Sequence, residues 1–517
     1  MLEPLPQGRW TRRAADHLLS RACFGGSPAQ RDALFRLGRD SGVAAAVDSI
    51  VNQPVNWSSF PPPAIRPQIA GEDNFYYYRE LHRDFTGWHL RQLTDGPPLA
   101  AKMFKFWVDH FPIDQGAIHP NEAVYPFFHH HFVLLRDGAV GNFGPLLRGV
   151  TWSAGMIRML DLQASSRGSV NENFSRELLE LFTMGVHGAY TEQDVATLAR
   201  VFTGRKIRGP YPYEVYLDET VYTSGSLSGQ QRYVDPEEKT VLTIADRANP
   251  AIRRPGRLAA LRNPADRRPG DPREQGDAAL KIILEQPDTG WHLAWKLWRY
   301  FVSPDPPAEL AAELGRRWQF DHQWEVKPLL RVLFSASEFY DETVIGDQIK
   351  DPCDLLVSAS RALELPALPR VTATLALAAL GQNLFSPPTI AGWPEPEAEG
   401  NGWIGASALF NRLALSALWA SGDPRALHRG NQIPAAEFPL PIPDFDAIVP
   451  PEWRGRDNLP LLLRQLAGRL YPAHPLEDEE IRELTRYITR IRLGASEEEF
   501  LRELLQALLT LPQFQLQ

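Results

Sequence analysis

Apolar positions recur at helical spacing through most of the chain. Residues 11–23 carry that spacing, Gly25 and Gly26 can end the helix, and Ser27, Pro28 and Gln30 supply a cap, a first-turn proline and a capping-box partner for the next one. The same period predicts helices over 74–112, 121–136 and 141–161. They follow "FPPPAIRP" (60–67), a stiff surface connection whose prolines exclude both helix continuation and sheet donors. From Gly204 the pattern changes. Residues 207–276 are rich in Tyr, Gly, Pro, Asp and Arg, and the alternation in "YEVYLDETVYT" suits a small β-hairpin. Helical spacing returns at Ala278 and continues, broken by Pro- or Gly-marked turns, to the last residues. There "LLQALLTLPQFQ" (504–515) echoes "LLRVLFSASEFY" (329–340). The expectation is a mainly α protein, a large multi-helical body in two packed halves, 1–205 and 278–517. A loop-rich, Arg- and Pro-rich insertion at 206–277 would carry minor β-hairpin structure.

Composition narrows the partners. At 517 residues and 44% hydrophobic, the chain can bury substantial cores. A net charge of -9 gives no whole-protein reason to expect nucleic acid or an anionic membrane. Only 8 of the 54 basic residues are lysines, and eight arginines crowd into 247–273. Acids at 246, 266 and 271 and the lack of interleaved aromatics make that segment read as a mobile, solvated insertion rather than an RNA surface. Cys23 and Cys353 are the only cysteines, so no disulfide framework and no cysteine-based zinc or iron–sulfur site is available. The N-terminal residues lack a continuous apolar core of signal-peptide length, so a cytoplasmic location is expected. No stretch reaches the roughly 18 apolar residues of a spanning helix.

Candidate chemistry gathers in two places. In "NENFSRELLELFTMG" (171–185), taken as a helix, Asn173, Arg176, Glu177 and Glu180 share one stripe nearly opposite the stripe of Phe174, Leu178, Leu181 and Phe182. Such a stripe is either a wet face stabilised by i,i+4 pairs or, if another element roofs it, an acid–base or hard-metal site. In "FKFWVDHF" (104–111), Trp107 and His110 share a face while Asp109 points elsewhere. His110 is therefore either a packed core histidine or, if it approaches the acidic stripe, the third member of a His plus two carboxylate set. "FFHHHF" (127–132) spreads its histidines too widely for one ion, and Trp291, Trp295 and Trp298 read as a packed stripe. No dinucleotide fingerprint, Walker loop, nucleophile elbow or HExxH occurs.

Taken in order, "HLLSRACFGGSPAQRDAL", "FWVDHF", "GNFGPLL", "NENFSRELLELFTMG", "AYTEQDVATLARVFTG", "FVSPDPP", "IKDP", "LGQNLFSPPTIAGWP", "GWIG" and "LTLPQFQLQ" resemble the domain of unknown function 1800 family, a group of bacterial helical proteins, over nearly the whole chain. This chain has Val108 and Asp109 where the family usually shows His-Asn, and Val234 where a His tends to stand. "EPEAEGNG" follows Trp393 and Pro394 in place of Gly-Gly. The resemblance implies a polar site at Asn173, Arg176, Glu177, Glu180, Thr183 and Tyr190. It also implies a neighbourhood of sulfatase-like or phosphatase-like partner proteins. The functional expectation is a hydrolase or lyase using His110, Glu177 and Glu180 as acid, base or ligands of a divalent metal. Asn173 and Arg176 would orient them, with Trp107, Trp393 and Tyr190 against the substrate. The rival expectation is a non-catalytic binding or assembly protein in which the same residues knit helices together.

Overall fold

The computed structural model describes all residues except 1, 67–68, 115–123, 209–213, 218–220, 224–229, 233–238, 246–252, 259–273, 395–402, 424–436, 438–439, 455–457 and 492–495. The protein is mainly α-helical. Its first helices start where the polar signals lie. Thr11 caps Arg12–Cys23, and Ser27 and Gln30 exchange both capping-box hydrogen bonds, at 2.9 and 3.3 Å, at the head of Pro28–Ser41.

The long period over 74–112 is two helices, Asn74–Asp95 and Pro98–His110. Gly96, Pro97 and Pro98 interrupt it, because consecutive prolines withhold backbone donors and bias the preceding residue away from helix. Likewise 141–161 divides into Phe143–Thr151 and Ala154–Met159, with Ser153 between them.

One contiguous apolar core runs from Leu2 to Phe514 and draws on both helical ranges. Val326–Ser335 packs on Val43–Val51, and Asn74–Asp95 packs on both Pro352–Ala362 and Arg370–Ala379. Pro287–Phe301 crosses Ala308–Arg316 at backbone contact. A Cβ on Gly315 would lie 2.3 Å from the carbonyl carbon of Gly290, so only glycine fits that crossing. The echoed segments close in the same way. Val326–Ser335 and Glu497–Leu509 each pass into a 3-10 turn, Ser337–Tyr340 and Pro512–Gln515, which buries Phe339 and Phe514.

Among the described residues the β-structure is three two-stranded antiparallel pairs. The run expected to fold back on itself does not. Its halves Glu214–Leu217 and Val221–Thr223 are both strands, but they pair outward, with Arg205–Arg208 and Gln230–Arg232 respectively. Part of the arginine-rich segment is also ordered, since Arg253–Leu258 pairs with Lys239–Ala245 and buries Leu258. Residues 247–252 and 259–273 of that segment lie outside the described residues. No helix among the described residues is long and apolar enough to cross a membrane.

Candidate functional site

The acidic run forms the helix Asn173–Glu180, with Phe174, Leu178 and Leu179 buried and its polar stripe turned outward. Arg176 is its hub. The guanidinium grips Glu192 with two hydrogen bonds, at 2.6 and 2.9 Å, and reaches Glu180 at 3.3 Å and Glu172 at 3.6 Å. Asn173 is exposed, Glu177 and Glu180 are half-buried, and the Tyr190 hydroxyl donates to the Val186 carbonyl at 3.4 Å. Burial and then the adjacent Glu180 raise the pKa of Glu177 against the pull of Arg176.

His110 meets the end of this run through the backbone. Its Nε2 lies 3.2 Å from the Phe182 carbonyl, its ring stacks parallel to Phe106, and its Nδ1 has no partner. The charges acting on His110 are Lys296 and His292, not Glu177 or Glu180, and burial foremost holds its pKa well below the usual histidine range. The expected acid–base trio is therefore not brought together. Trp107 is wholly buried, with its indole N–H donated to the Ala139 carbonyl at 2.9 Å and its ring near-parallel to both Phe111 and Phe143. Thr183 is buried and donates to the Leu178 carbonyl. The run stops at Gly185 for a packing reason. At φ +83° a Cβ there would lie 2.8 Å from the His292 ring.

Of the residues expected to act at the site, Trp393 alone lines a cavity enclosed by the helices. This cavity, of about 90 Å³, lies between Asn74–Asp95 and Pro98–His110 on one side and Pro287–Phe301, Pro352–Ala362, Trp393, Pro394 and Trp403 on the other. Trp393 and Trp403 supply aromatic wall, and Lys105, Asp109, Lys296 and Asp351 supply charge. Asp109 accepts the Trp393 backbone N–H at 2.9 Å. That approach requires Gly392, whose φ is +96° and where a Cβ would sit 2.3 Å from Asp109 Oδ1. Trp403 is fastened by buried Arg412, which donates to the carbonyls of Trp403 at 2.7 Å and Lys350 at 2.6 Å, while the Trp403 indole donates to Pro394 O at 3.0 Å.

Lys105 and Lys296 line the cavity, and Lys102 shares the carboxylate of Asp354 with Lys105. Lys102 Nζ lies 2.9 Å from Asp354 Oδ1, and Lys105 Nζ lies 2.5 Å from Asp351 Oδ2 and 3.4 Å from Asp354 Oδ1. Burial opposes the Lys105 ammonium, yet Asp351 and Asp354 outweigh it and hold its pKa well above the ordinary lysine value. Lys102 and Lys105 together overcome burial to hold Asp354 down at about 2. Lys296 makes no hydrogen bond or ion pair among the described residues. Burial lowers its pKa and Asp109 only partly offsets this, while burial raises Asp109 against the pull of Lys296. Deeper in, His89 is 1% exposed with neither ring nitrogen hydrogen-bonded, and burial brings its pKa to about 3, so the ring is neutral. Burial pushes the Cys353 thiol well up, which removes it as a thiolate nucleophile. Among the described residues no three His, Cys, Asp or Glu side chains converge to hold a metal ion.

Sequence reading passed over Lys105, Lys296, Asp351, Asp354 and His89. One signal was available. "FWVDHF", "IKDP", "LGQNLFSPPTIAGWP", "GWIG" and "LTLPQFQLQ" each contribute a wall residue, namely Asp109, Asp351, Gln382 with Trp393, Trp403 and Gln517. Segments far apart in the chain that carry the family resemblance thus meet at one hollow. No curated protein and no solved structure matches the chain. The family model described as a protein of unknown function (DUF1800) matches residues 17–516, nearly its whole length, and the chain belongs to that family.

Proposed function

We propose that the chain is an enzyme of hydrolase or lyase type working in the cavity at Asp109 and Lys296, on a small neutral polar compound. One observation carries this reading. Lys296 lines the cavity with no ion pair, close enough to Asp109 for each charge to act on the other. Burial moves the two groups in opposite directions, the acid upward and the amine downward, which brings their proton affinities toward each other, as acid–base work at neutral pH requires. The wall holds three cationic and three acidic side chains, Lys105, Lys296 and Arg299 against Asp109, Asp351 and Asp354, so it has no net charge with which to select an ion. Trp393 and Trp403 offer flat apolar surface to the carbon skeleton of such a compound. In this reading His110 packs behind the cavity, and the Arg176 network fastens Asn173–Glu180 to Glu192–Val201, which is the scaffold role for the acidic run.

The test is a melting-temperature screen of the full chain with neutral hydroxy and carbonyl compounds, alongside Asp109→Asn and Lys296→Met. A compound present at 100 times its Kd stabilises the native state by about 2.7 kcal/mol. The expected result is a rise for one compound class with the parent chain that both variants lose while still melting cooperatively. Equal rises in parent and variants refute the assignment of Asp109 and Lys296.

A further inference from the structure

Resting on that reading, we infer that Lys296 is a nucleophile that forms an imine with a small aldehyde or ketone, with Asp109 carrying the protons. The lysines at the cavity differ in their partners. Lys105 is tied to Asp351 and Asp354, which commits its lone pair to a proton, and Lys102 has its nitrogen 2.9 Å from Asp354 Oδ1. Lys296 has no such partner among the described residues and lines the same cavity as Asp109. Were it only a charge for binding an anion, Asp109 beside it and the balanced wall would oppose that anion. A carbonyl compound meets neither objection, and an amine freed of ion pairing in a partly dry pocket is the form that attacks it. Asp109 is held for the proton work by the Trp393 N–H on Oδ1, which leaves Oδ2 without a hydrogen bond among the described residues. Neutral His89, with both ring nitrogens unpartnered, offers one donor and one acceptor to a hydroxyl on the same compound.

The step balances without a redox partner. Asp109 takes a proton from the Lys296 ammonium, and the freed lone pair forms the C–N bond as the carbonyl π pair moves to oxygen. A proton then shifts from nitrogen to that oxygen, giving the carbinolamine. Asp109 returns its proton to the hydroxyl, the C–O bond breaks, water leaves, and the nitrogen lone pair closes the C=N bond of a protonated imine. Ammonium plus carbonyl thus become iminium plus one water, and Asp109 ends as it began. An imine of this kind withdraws electrons from the neighbouring carbon–carbon or carbon–hydrogen bond, which makes the overall reaction lyase-like rather than hydrolytic.

The experiment incubates the full chain with glyceraldehyde or dihydroxyacetone in the presence of cyanoborohydride, which reduces an imine to a stable amine, and locates the mass gain by peptide mapping. Lys296 is expected to be modified well ahead of exposed Lys281, with Asp109→Asn slowing the adduct roughly 100-fold, the scale of a lost general acid–base. Lys296→Arg should abolish the adduct while preserving circular dichroism and melting. Modification of Lys281 and Lys296 at equal rates, or none at Lys296, overturns the imine. A parallel labelling with acetic anhydride separates the two levels. If Lys296 acetylates near neutral pH and the stabilising compounds still act, only the imine falls. If Lys296 resists both reagents and no compound stabilises the chain through it, the acid–base reading falls with it.

Discussion

Replacing His89 with phenylalanine sets stability against ligand recognition at the bottom of the cavity. The imidazole is 1% exposed and sits edge-on to Phe104 with ring centroids 4.9 Å apart, a setting that phenylalanine suits equally well. Neither nitrogen is hydrogen-bonded, and a buried unsatisfied polar group costs about 1–3 kcal/mol. His89→Phe should therefore stabilise the chain by about that amount at pH 7, less whatever the larger ring spends on overpacking. Acid adds a second effect of known sign. With the folded pKa at about 3 and the unfolded value at 6.5, only the unfolded chain takes up a proton as the pH falls below 6.5. The parent then loses about 1.4 kcal/mol per pH unit on account of this residue until the pH reaches the folded pKa. The variant is spared that loss, so at pH 5 its advantage should widen by about 2 kcal/mol. Denaturant unfolding of both proteins at pH 7 and pH 5 measures the difference, and His17, His110, His131 and His292, buried in both, cancel. A variant less stable than the parent at pH 7, with an unchanged gap at pH 5, would refute the picture of a neutral, unsatisfied ring. The functional counterpart is that the compound that raises the parent's melting temperature should act more weakly on the variant.

Other perturbations reach different parts of the site. Asp354→Ala leaves Lys102 and Lys105 buried with one carboxylate fewer and should cost about 3–5 kcal/mol in denaturant unfolding, a far larger loss than at a surface pair. Gly392→Ala forces a side chain into φ +96° and against Asp109, so it should cost about 1–3 kcal/mol and shift the fluorescence of Trp393; an unchanged spectrum and stability would contradict the close approach. Arg176→Ala removes an exposed network and should cost about 1 kcal/mol or less, with the compound-induced rise in melting temperature intact. Glu177→Ala should likewise spare that rise, and its loss would return the acidic run to the centre of the chemistry.

Local signals carried the helices and failed at the cavity, for reasons visible in particular residues. Ser27 and Gln30 announce a helix start because both partners lie within one turn, and the mainly α body follows from a period that any window of the chain repeats. The break at Gly96 and Pro97 was equally local but was masked by apolar spacing that continues on either side. The cavity has no such window. Lys102 and Asp354 are 252 positions apart, and each stands in a stretch that reads as an ordinary amphipathic helix. Residues 171–185 drew attention because their charges are dense, yet Arg176 satisfies most of them at the surface. The cavity's charged residues come one or two to a segment, so only the fold brings them into one place. Trp393 was found through its motif, and the reason for the glycine before it appeared only once Asp109 was beside it.

The hydrogen bond from the Trp393 backbone to Asp109 makes one latch serve two purposes. The backbone of Trp393, whose ring walls the hollow, also helps keep the carboxylate ionised, so losing that contact would strengthen the hold of Asp109 on a proton. The shape of this wall and the proton affinity of its carboxylate are set by the same contact.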